Sequence, residues 1–266
     1  MDAQHNDMSD STFIYTETSD LKIYKYIPLE YLIKMLCSNT LYISKVEAWE
    51  DVYENFFLKQ QFTINRKIVN PTLVKENFKG IFGQSWTSLK SSDAMWRIYS
   101  KRESDSCNEK EMPRTAIRIS STPRLIYKEL CHTNLNDNYG VEMHEIEYMP
   151  QDELVQWLDN INVVNRHNMV GLMLKSLFIK RNDFEHEHEV RLIVSVKSNC
   201  KNANNNALII PIQAQNIITE YAVDPRMNEQ QYSTIHSLLT RNGADENLIR
   251  QSSLYTLVRK TLVLEC

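Results

Sequence analysis

The spacing of apolar residues along the chain predicts a series of short strands and helices. Residues 21–27, LKIYKYI, alternate apolar and polar side chains and contain β-favouring Ile and Tyr, which predicts a strand. Pro28 then opens a segment whose apolar residues recur at helical spacing up to Leu36, which predicts a short amphipathic helix. By the same criteria, further strands are predicted at 40–45, 80–89, 115–121, 141–149, 183–194, 207–212 and 216–225, and further helices at 91–100, 122–133, 151–181 and 228–243.

These elements favour a single α+β domain. The strands interleave with helices without the strict alternation of parallel α/β folds, so we expect a mixed, largely antiparallel sheet flanked by helices. The chain of 266 residues is long enough to bury a sizeable core. Residues 1–19 are polar and are expected to form a lead-in, and residues 20–266 are expected to form the domain.

Composition and charge disfavour several classes of protein. The net charge is −4, which disfavours a strongly basic nucleic-acid binder. The five cysteines are scattered without a Cys-x-x-Cys pair, which argues against a disulfide framework and a structural zinc site. The five glycines form neither of the two Gly-rich patterns that cradle phosphates. A nucleotide would therefore have to be bound by a site that has no Gly-rich phosphate-binding loop.

The sequence predicts a cytoplasmic protein without membrane contact. Residues 1–13 are polar and acidic and lack the basic start and apolar run of a secretory signal. No window approaches the ~18–20 continuous apolar residues that a membrane-spanning helix needs. Unpaired cysteines suit a reducing compartment.

The stretch DFEHEHEVRLIV, residues 183–194, carries the clearest candidate chemistry. If it is a strand, Glu185, Glu187, Glu189 and Arg191 share one face, because side chains two positions apart point the same way. Like charges this close raise one another's pKa, as in the carboxylate pairs of active sites. The alternative is a solvated strand end at which Glu189 pairs with Arg191.

The same stretch contains a candidate metal site. His186 and His188 form a His-x-His pair that could bind a metal together with Glu185 or His167. A third ligand at a definite spacing is missing, so no metal is expected. The alternative is a partly buried histidine pair beside Val190.

Earlier segments supply candidate binding groups. Tyr24 and Lys25 lie on the first strand, where the lysine could meet a diphosphate as a point charge. Trp86 could stack on a flat ring, and the hydroxyls of Thr87 and Ser88 could hydrogen-bond a ligand. Packing in the core is the alternative for each of these strand residues.

A short helix after the central strand contributes Tyr99. It lies at helical spacing from Met95, a stripe that is typical of core packing as well as of ligand contact. The basic residues Arg97, Lys101 and Arg102 follow, and they could either contact a phosphate or form a solvated surface.

The order of these motifs over residues 22–255 resembles a widespread bacterial family of unknown function. The resemblance is carried by Tyr-Lys-Tyr at 24–26, Met-Trp-x-x-Tyr at 95–99 and Glu-x-Glu-x-Arg at 187–191. The chain departs from the family's pattern at 49–54, WEDVYE, where an Asn-Pro pair is absent.

The same order also resembles the mono-ADP-ribosyltransferases. Their motifs match Tyr24 or Lys25 on the first strand, the hydroxyl-bearing SWTS at 85–88, and Glu187-x-Glu189 before an apolar strand. The resemblance implies a split mixed sheet with a cleft that holds NAD and no Gly-rich loop.

The transferase resemblance implies an enzyme that consumes NAD as its substrate. Glu189 would be the essential carboxylate, hydrogen-bonding the ribose 2′-hydroxyl and stabilising an oxocarbenium-like transition state as nicotinamide leaves. Glu187 would orient the incoming nucleophile. The residues implied at the NAD cleft are Tyr24, Lys25, Trp86, Thr87, Ser88 and Tyr99.

The resulting hypothesis is a bacterial effector or toxin, including an anti-phage defence toxin, that transfers ADP-ribose to a protein or nucleic-acid acceptor. An antitoxin or a defence-system partner would accompany it. Two alternatives stay open. One is a non-catalytic sensor or partner-binding component of such a module, and the other is a metal-dependent nuclease that uses the Glu/His cluster.

Overall fold

The structure is a computed structural model of the 266-residue chain. It describes residues 15–16, 18–51, 53–54, 56–64, 67–68, 80–100, 115–132, 139–161, 169–196, 200–204 and 206–260. Residues 1–14 of the predicted lead-in, residues 101–102 of the basic cluster and His167 lie outside the described residues.

Strands and helices alternate irregularly along the described chain. The strands are β1 (Ile23–Pro28), β2 (Thr40–Lys45), β3 (Thr63–Ile64), β4 (Lys67–Ile68), β5 (Ile81–Thr87), β6 (Ala116–Ser121), β7 (Tyr139–Glu145), β8 (Glu147–Met149), β9 (Ile179–Arg181), β10 (Glu189–Val196), β11 (Ala207–Pro211), β12 (Glu220–Val223) and β13 (Ile249–Gln251). The helices are α1 (Leu29–Ser38), α2 (Asp93–Tyr99), α3 (Pro123–His132), α4 (Gln151–Asp159), α5 (Met169–Ser176), α6 (Ala214–Ile217) and α7 (Glu229–Arg241). Four 3₁₀ segments cover Val46–Ala48, Phe56–Lys59, Asn182–Glu187 and Glu246–Leu248.

The main sheet branches at β5. One edge of β5 pairs with β10 along its whole length. The other edge is shared, because β2 pairs with it at Phe82 and Gly83 whereas β1 pairs with it at Thr87. From these two points the sheet divides into an arm of β2 and β11 and an arm of β1, β6, β12 and β13.

The strand directions agree with the fold class expected from the sequence. Within the described residues, the parallel pairs are β12 with β13 and β8 with β9, and the other strand pairs are antiparallel. An α+β fold with a mixed, largely antiparallel, split sheet flanked by helices is therefore confirmed. The boundary at residues 19–20 stays a prediction.

Side chains bridge the split between the two arms. Lys25 donates its ammonium to the Ser85 carbonyl at 2.8 Å. Gln84 donates its amide to the Tyr42 carbonyl at 2.9 Å and accepts the indole N–H of Trp86 at 2.9 Å. The carbonyl groups of Ser85 and Tyr42 thereby receive hydrogen bonds that a neighbouring strand would otherwise supply.

Apolar side chains cover both faces of the sheet. Phe82 and Leu192 point to one face, where α1, α3 and α7 pack. Ile81 and Ile193 point to the other, where α4, α5 and the segment around Phe56 pack. Burying each such side chain stabilises the fold by about 1.5–3 kcal/mol. Apolar packing therefore holds helices against both faces of the sheet.

The segment before β10 differs from the prediction. Residues 182–187 form a 3₁₀ segment instead of a strand, and His188 follows in the left-handed region with φ 42°. The reversal brings the chain from β9 back into β10. The alternation of charged residues was therefore wrong as a strand pattern at 183–188 and correct from Glu189 onward.

Two other predicted elements are broken. Within the described residues, the segment predicted as a helix over 151–181 contains α4, α5 and the strand β9. The helix α4 ends at Asp159, and Ile179–Arg181 pair with β8. The strand predicted over 141–149 is interrupted at Ile146, whose backbone N–H bonds to the Glu189 carbonyl at 2.9 Å. Periodicity alone does not reveal such breaks.

No helix among the described residues could span a membrane. The longest, α7, has 13 residues, whereas a span needs about 20 apolar ones.

Candidate functional site

The start of β10 gathers the charged residues of the candidate site. Glu189 lies directly opposite Thr87 of β5, so the two side chains share a face. Arg191 shares this face, two positions along the strand. Lys180 approaches from β9, and Glu187 closes the preceding turn.

Glu189 is buried at the centre of this arrangement, with 2% of its surface exposed. One carboxylate oxygen accepts the Ser85 hydroxyl at 2.6 Å and the Arg191 Nε at 2.7 Å. The other accepts the Arg191 Nη2 at 2.9 Å and the Lys180 Nζ at 3.3 Å. The interpretation of Glu189 as a partner of Arg191 is confirmed, but the pair is buried and not a solvated strand end.

Lys180 is the cation around which three carboxylates converge. Its Nζ lies 2.8 Å from Glu187 Oε2, 3.3 Å from Glu189 Oε2 and 3.4 Å from Glu54 Oε1. We call Glu54, Lys180, Glu187, Glu189 and Arg191 the Glu189 cluster. Three carboxylates against two cations leave the cluster with one net negative charge.

Arg191 fixes the cluster to the body of the protein. Its guanidinium bonds to Glu54 at 2.7 Å and to the Leu177 carbonyl at 2.6 Å. The Trp49 ring stacks at 4.5 Å from the guanidinium carbon. With 1% of its surface exposed, Arg191 is held in one orientation, which in turn orients the Glu189 carboxylate.

The neighbouring charges keep Glu189 ionised. Burial by itself would raise the pKa of Glu189, but Arg191, Lys180 and the Ser85 hydroxyl together lower this pKa to about 2. Burial would likewise lower the pKa of Lys180, and the three carboxylates instead raise it above its usual value. Both groups therefore carry full charges at neutral pH.

The cluster reaches the protein surface at two side chains. Ser85, whose hydroxyl touches Glu189, is itself exposed. Glu187 retains 26% of its side-chain surface. A hydroxyl-bearing ligand could thus replace the Ser85 hydroxyl on the carboxylate.

Two tyrosines border the cluster. Tyr148 accepts the backbone N–H of Glu189 at 2.8 Å. Burial, and then the charges of Glu187 and Glu189, raise the pKa of Tyr99. Tyr99 therefore lies within electrostatic range of both carboxylates and stays a neutral hydrogen-bond donor.

The strand pairing places Thr87 and Tyr24 on the same face of the sheet as Glu189, and Ser88 contacts the turn before β10 through its backbone. Thr87 donates its hydroxyl to the Glu187 carbonyl at 2.7 Å, and the Ser88 N–H donates to the His188 carbonyl at 3.0 Å. Tyr24 lies opposite Thr87 on that face, buried beneath the Arg118 guanidinium at 5.1 Å. Their roles with a ligand stay predictions.

Lys25 and Trp86 belong to the opposite face. Trp86 is 3% exposed and packs in the core, so its ring offers no free surface for stacking on a ligand beside Glu189. Lys25 points toward that ring, with its ammonium 6.0 Å from the ring centre. The sequence alone assigned neither residue to a face, because the face depends on how β1, β5 and β10 are paired.

The histidines do not join the cluster. His186 and His188 are exposed, which corrects the alternative of a partly buried pair. Across the described residues, no group of three or more His, Cys, Asp or Glu side chains is arranged to hold a metal ion.

Sequence reasoning missed several members of the site. Ser85 lies inside the SWTS motif but received no role, and Lys180 and Tyr148 were absorbed into other elements. Glu54 belongs to WEDVYE, the segment that departs from the family's pattern. The sequence marked Glu54 only as an acidic residue in the segment where the chain departs from that family.

Comparison with known proteins places few limits on function. No family model and no curated protein matches the chain, so the resemblance to a bacterial family of unknown function stays a prediction. Among solved structures, "Thermus sp. 2.9 DarT in complex with NAD+" shares 10% identity over 90% of this chain and 97% of that one, with a TM-score of 0.38. "Thermus sp. 2.9 DarT in complex with ADP-ribosylated ssDNA" shares 10% identity over 87% and 92%, with a TM-score of 0.35. At these scores the likeness assigns this chain neither an activity nor a ligand.

Proposed function

We propose that the chain is an NAD-consuming transferase that passes ADP-ribose to a macromolecular acceptor at the Glu189 cluster. The observation that carries the proposal is the ionised Glu189 carboxylate, held by Arg191 and Lys180 and open to the surface through Ser85 and Glu187. A fixed negative charge, beside a serine hydroxyl that a ligand can displace, suits a reaction in which positive charge develops on a sugar.

The proposed reaction breaks the bond between the ribose C1′ and nicotinamide, which leaves with the bonding electron pair. Glu189 accepts a hydrogen bond from a ribose hydroxyl in place of Ser85, and its charge stabilises the oxocarbenium-like transition state. The acceptor then forms a bond to C1′, and its proton passes to Glu187 or to solvent. The negative charge of the cluster lowers the barrier because it interacts more strongly with the ribose as positive charge moves onto it from the nicotinamide ring.

We assign the NAD contacts to Ser88 and Tyr99, which are partly exposed, and we infer that the buried Tyr24 and Thr87 support the site from beneath. Lys25 acts indirectly, since its ammonium holds the carbonyl of Ser85. Trp86 supports β5 from the core side. Metal ions have no part in the proposal, because the Lys180 ammonium is the cation among the carboxylates.

Transfer from labelled NAD tests the proposal. The purified protein is incubated with NAD labelled in its adenylate half and with single-stranded DNA, RNA or cell-lysate protein. We expect wild type to label one acceptor class and Glu187→Gln to lose at least about tenfold in rate, roughly 1.4 kcal/mol in the barrier. Ser85→Ala removes only the hydroxyl that the ribose hydroxyl replaces, so this variant should label the acceptor at least as fast as wild type. Glu185→Gln, in the same turn but exposed, is the matched control and should keep wild-type activity.

One observation favours a non-catalytic sensor or partner-binding component instead. All members of the Glu189 cluster already satisfy one another, as in a structural ion-pair network. In that case no acceptor class is labelled, NAD remains intact, and the same variants change only stability. A nuclease would instead degrade the nucleic acids in the same assay and stop on addition of a chelator.

The proposed biological role is a bacterial toxin or defence effector, held in check by an antitoxin or a defence-system partner. Induced expression of wild type in bacteria should then arrest growth, and Glu187→Gln should relieve the arrest. Equal growth of both strains at matched protein levels would contradict the toxin role.

A further inference from the structure

The face of the sheet opposite Glu189 carries a second polar site. A hollow of about 490 Å³ opens between the end of α1, the end of β11 and α6. Its lining residues are Ser38, Asn39, Glu129, Pro211, Ile212, Gln213 and Asn216. This volume suits a single small molecule. A smaller hollow of about 270 Å³ adjoins it and shares Glu129 and Asn216.

Glu129 is the one charged residue that lines the larger hollow. It is 6% exposed, and its carboxylate accepts the Gln213 backbone N–H at 2.5 Å and the Asn216 side-chain amide at 2.9 Å. Within the described residues, no Lys or Arg side chain forms an ion pair with it. A carboxylate has room for about four hydrogen bonds, so two donors leave capacity for a ligand.

Asn39 adds an acceptor that has no hydrogen-bond donor in the described structure. It ends α1 in the left-handed region with φ 48°, and its side-chain oxygen is buried without a hydrogen-bond partner in the described structure. A buried polar atom without a partner costs about 1–3 kcal/mol. Pro211 and Ile212 supply an apolar wall to the same hollow.

We infer that this hollow binds a small organic cation that bears an ammonium or guanidinium group. Its N–H donors would bond to the Glu129 carboxylate and to the Asn39 oxygen, and its aliphatic part would lie on Pro211 and Ile212. An anion would be repelled by the buried Glu129 carboxylate, which has no Lys or Arg ion-pair partner among the described residues. The site is independent of the proposed transferase function, because it lies on the other face of the sheet.

Agmatine, which carries a guanidinium and an ammonium on a short aliphatic chain, is the probe for this site. It is titrated into the ¹⁵N-labelled full-length protein while the Gln213 backbone and Asn216 side-chain signals are followed. We expect saturable shifts with a Kd of about 1 mM or tighter, and no saturation by tetramethylammonium, which has charge but no N–H donor. Absence of shifts at roughly ten times that concentration, or equal binding of tetramethylammonium, would overturn the inference.

Two variants locate the binding. Glu129→Gln keeps an acceptor for the Gln213 N–H but removes the charge, and we expect it to weaken agmatine at least tenfold. Asn39→Gly keeps the left-handed backbone and removes the side-chain oxygen, and we expect it to weaken agmatine severalfold even if Glu129→Gln does not fold. Glu246→Gln, an exposed acid elsewhere, corrects for non-specific attraction to the acidic chain. Unchanged affinity in Asn39→Gly, or an equal loss in Glu246→Gln and Glu129→Gln, would contradict the assignment.

Discussion

At the scale of the residue, Glu189 shows how a buried carboxylate stays ionised beside two others. Arg191 and Lys180 approach it from different elements, and each is itself fixed by further bonds. Removal of either cation would leave an excess of buried negative charge, which typically costs about 3–5 kcal/mol, a large fraction of the roughly 5–15 kcal/mol by which a domain is stable. The arrangement is therefore both a candidate active site and a structural requirement.

The Glu189 cluster should make the protein sensitive to acid. The pKa of Glu189 is about 2 in the folded state and 4.5 ordinarily, so the folded state binds fewer protons between these values. Its contribution, on the order of 3 kcal/mol, is present above pH 4.5 and is lost as the pH falls toward 2. We expect Glu189→Gln to lower the urea midpoint strongly at pH 7 and much less at pH 3.

Exposed Glu185 supplies the control for this acid experiment. Glu185→Gln should leave the urea midpoint near wild type at both pH values. A gap between wild type and Glu189→Gln that stays constant from pH 7 to pH 3 would contradict the charge network.

Lys25 should make stability rise with pH as well, but in the alkaline range. Burial lowers the pKa of Lys25 to about 8, against the attraction of Glu189 that raises it, so the folded state binds fewer protons than the unfolded chain up to pH 10.5. Wild-type stability should therefore rise between pH 8 and pH 10. Lys25→Met removes the burial penalty and should be more stable than wild type at pH 7 by about 1–2 kcal/mol, after loss of the bond to Ser85.

The difference between the Lys25→Met and wild-type unfolding free energies should shrink as the pH rises toward 10. Chemical unfolding at several pH values measures it. A difference that is constant over this range would show that Lys25 is solvated in the native protein, and one that grows would show that its native pKa is raised; either result would contradict the account.

Sequence alone identified the residue types of the site better than their partners. Glu187 and Glu189 stood out because acidic residues before an apolar strand are unusual. Trp86 was predicted as a ligand contact, yet its side chain packs in the apolar core on the opposite face of the sheet. The register of β5 against β10 decides this face, and the sequence does not reveal that register. Lys180 had no local signal, since its role depends on the turn that follows it.

At the scale of the element, the turn before β10 decides where the acidic residues lie. Alternating charge at 183–188 is typical of a strand, but His188 adopts φ 42° and reverses the chain. A left-handed conformation costs a residue other than glycine about 1 kcal/mol. The turn persists because Thr87 and Ser88 bond to its carbonyls, which are long-range contacts that no local pattern encodes.

Substitutions at His188 test this turn. His188→Gly should keep or raise stability, since glycine adopts positive φ without strain. His188→Val should lose at least about 1–2 kcal/mol, because a β-branched side chain is disfavoured there. Thermal unfolding of both variants measures the difference, and equal stability would mean that residue 188 is extended and the segment is a strand after all.

Gly83 on β5 tests the packing behind the cluster. A Cβ at this position would lie 2.4 Å from the Trp49 ring, and that ring stacks on Arg191. Gly83→Ala should displace Trp49 and cost about 1–3 kcal/mol. Gly171→Ala on α5 is the matched control, because nothing lies within 4 Å of its Cβ and alanine favours a helix by about 1 kcal/mol. Destabilisation by Gly171→Ala and tolerance of Gly83→Ala in chemical unfolding would contradict this packing.

At the scale of the whole molecule, the two proposed sites lie on opposite faces of the main sheet. One carries the Glu189 cluster, and the other carries the hollow around Glu129. The α+β class and most strands follow from period-two and helical patterns in the sequence. The branch at β5 does not, because it depends on which distant strands pair with each half of one edge.

Release of nicotinamide from NAD by the purified protein tests the central claim most directly, since it requires no knowledge of the acceptor. Wild type and Glu185→Gln should release nicotinamide at equal rates, and Ser85→Ala should release it at least as fast. Glu187→Gln should be slower by about tenfold or more while its unfolding midpoint stays near wild type. Nicotinamide release that is absent from wild type, or equal in all four folded proteins, would contradict the assignment of the Glu189 cluster as a catalytic site.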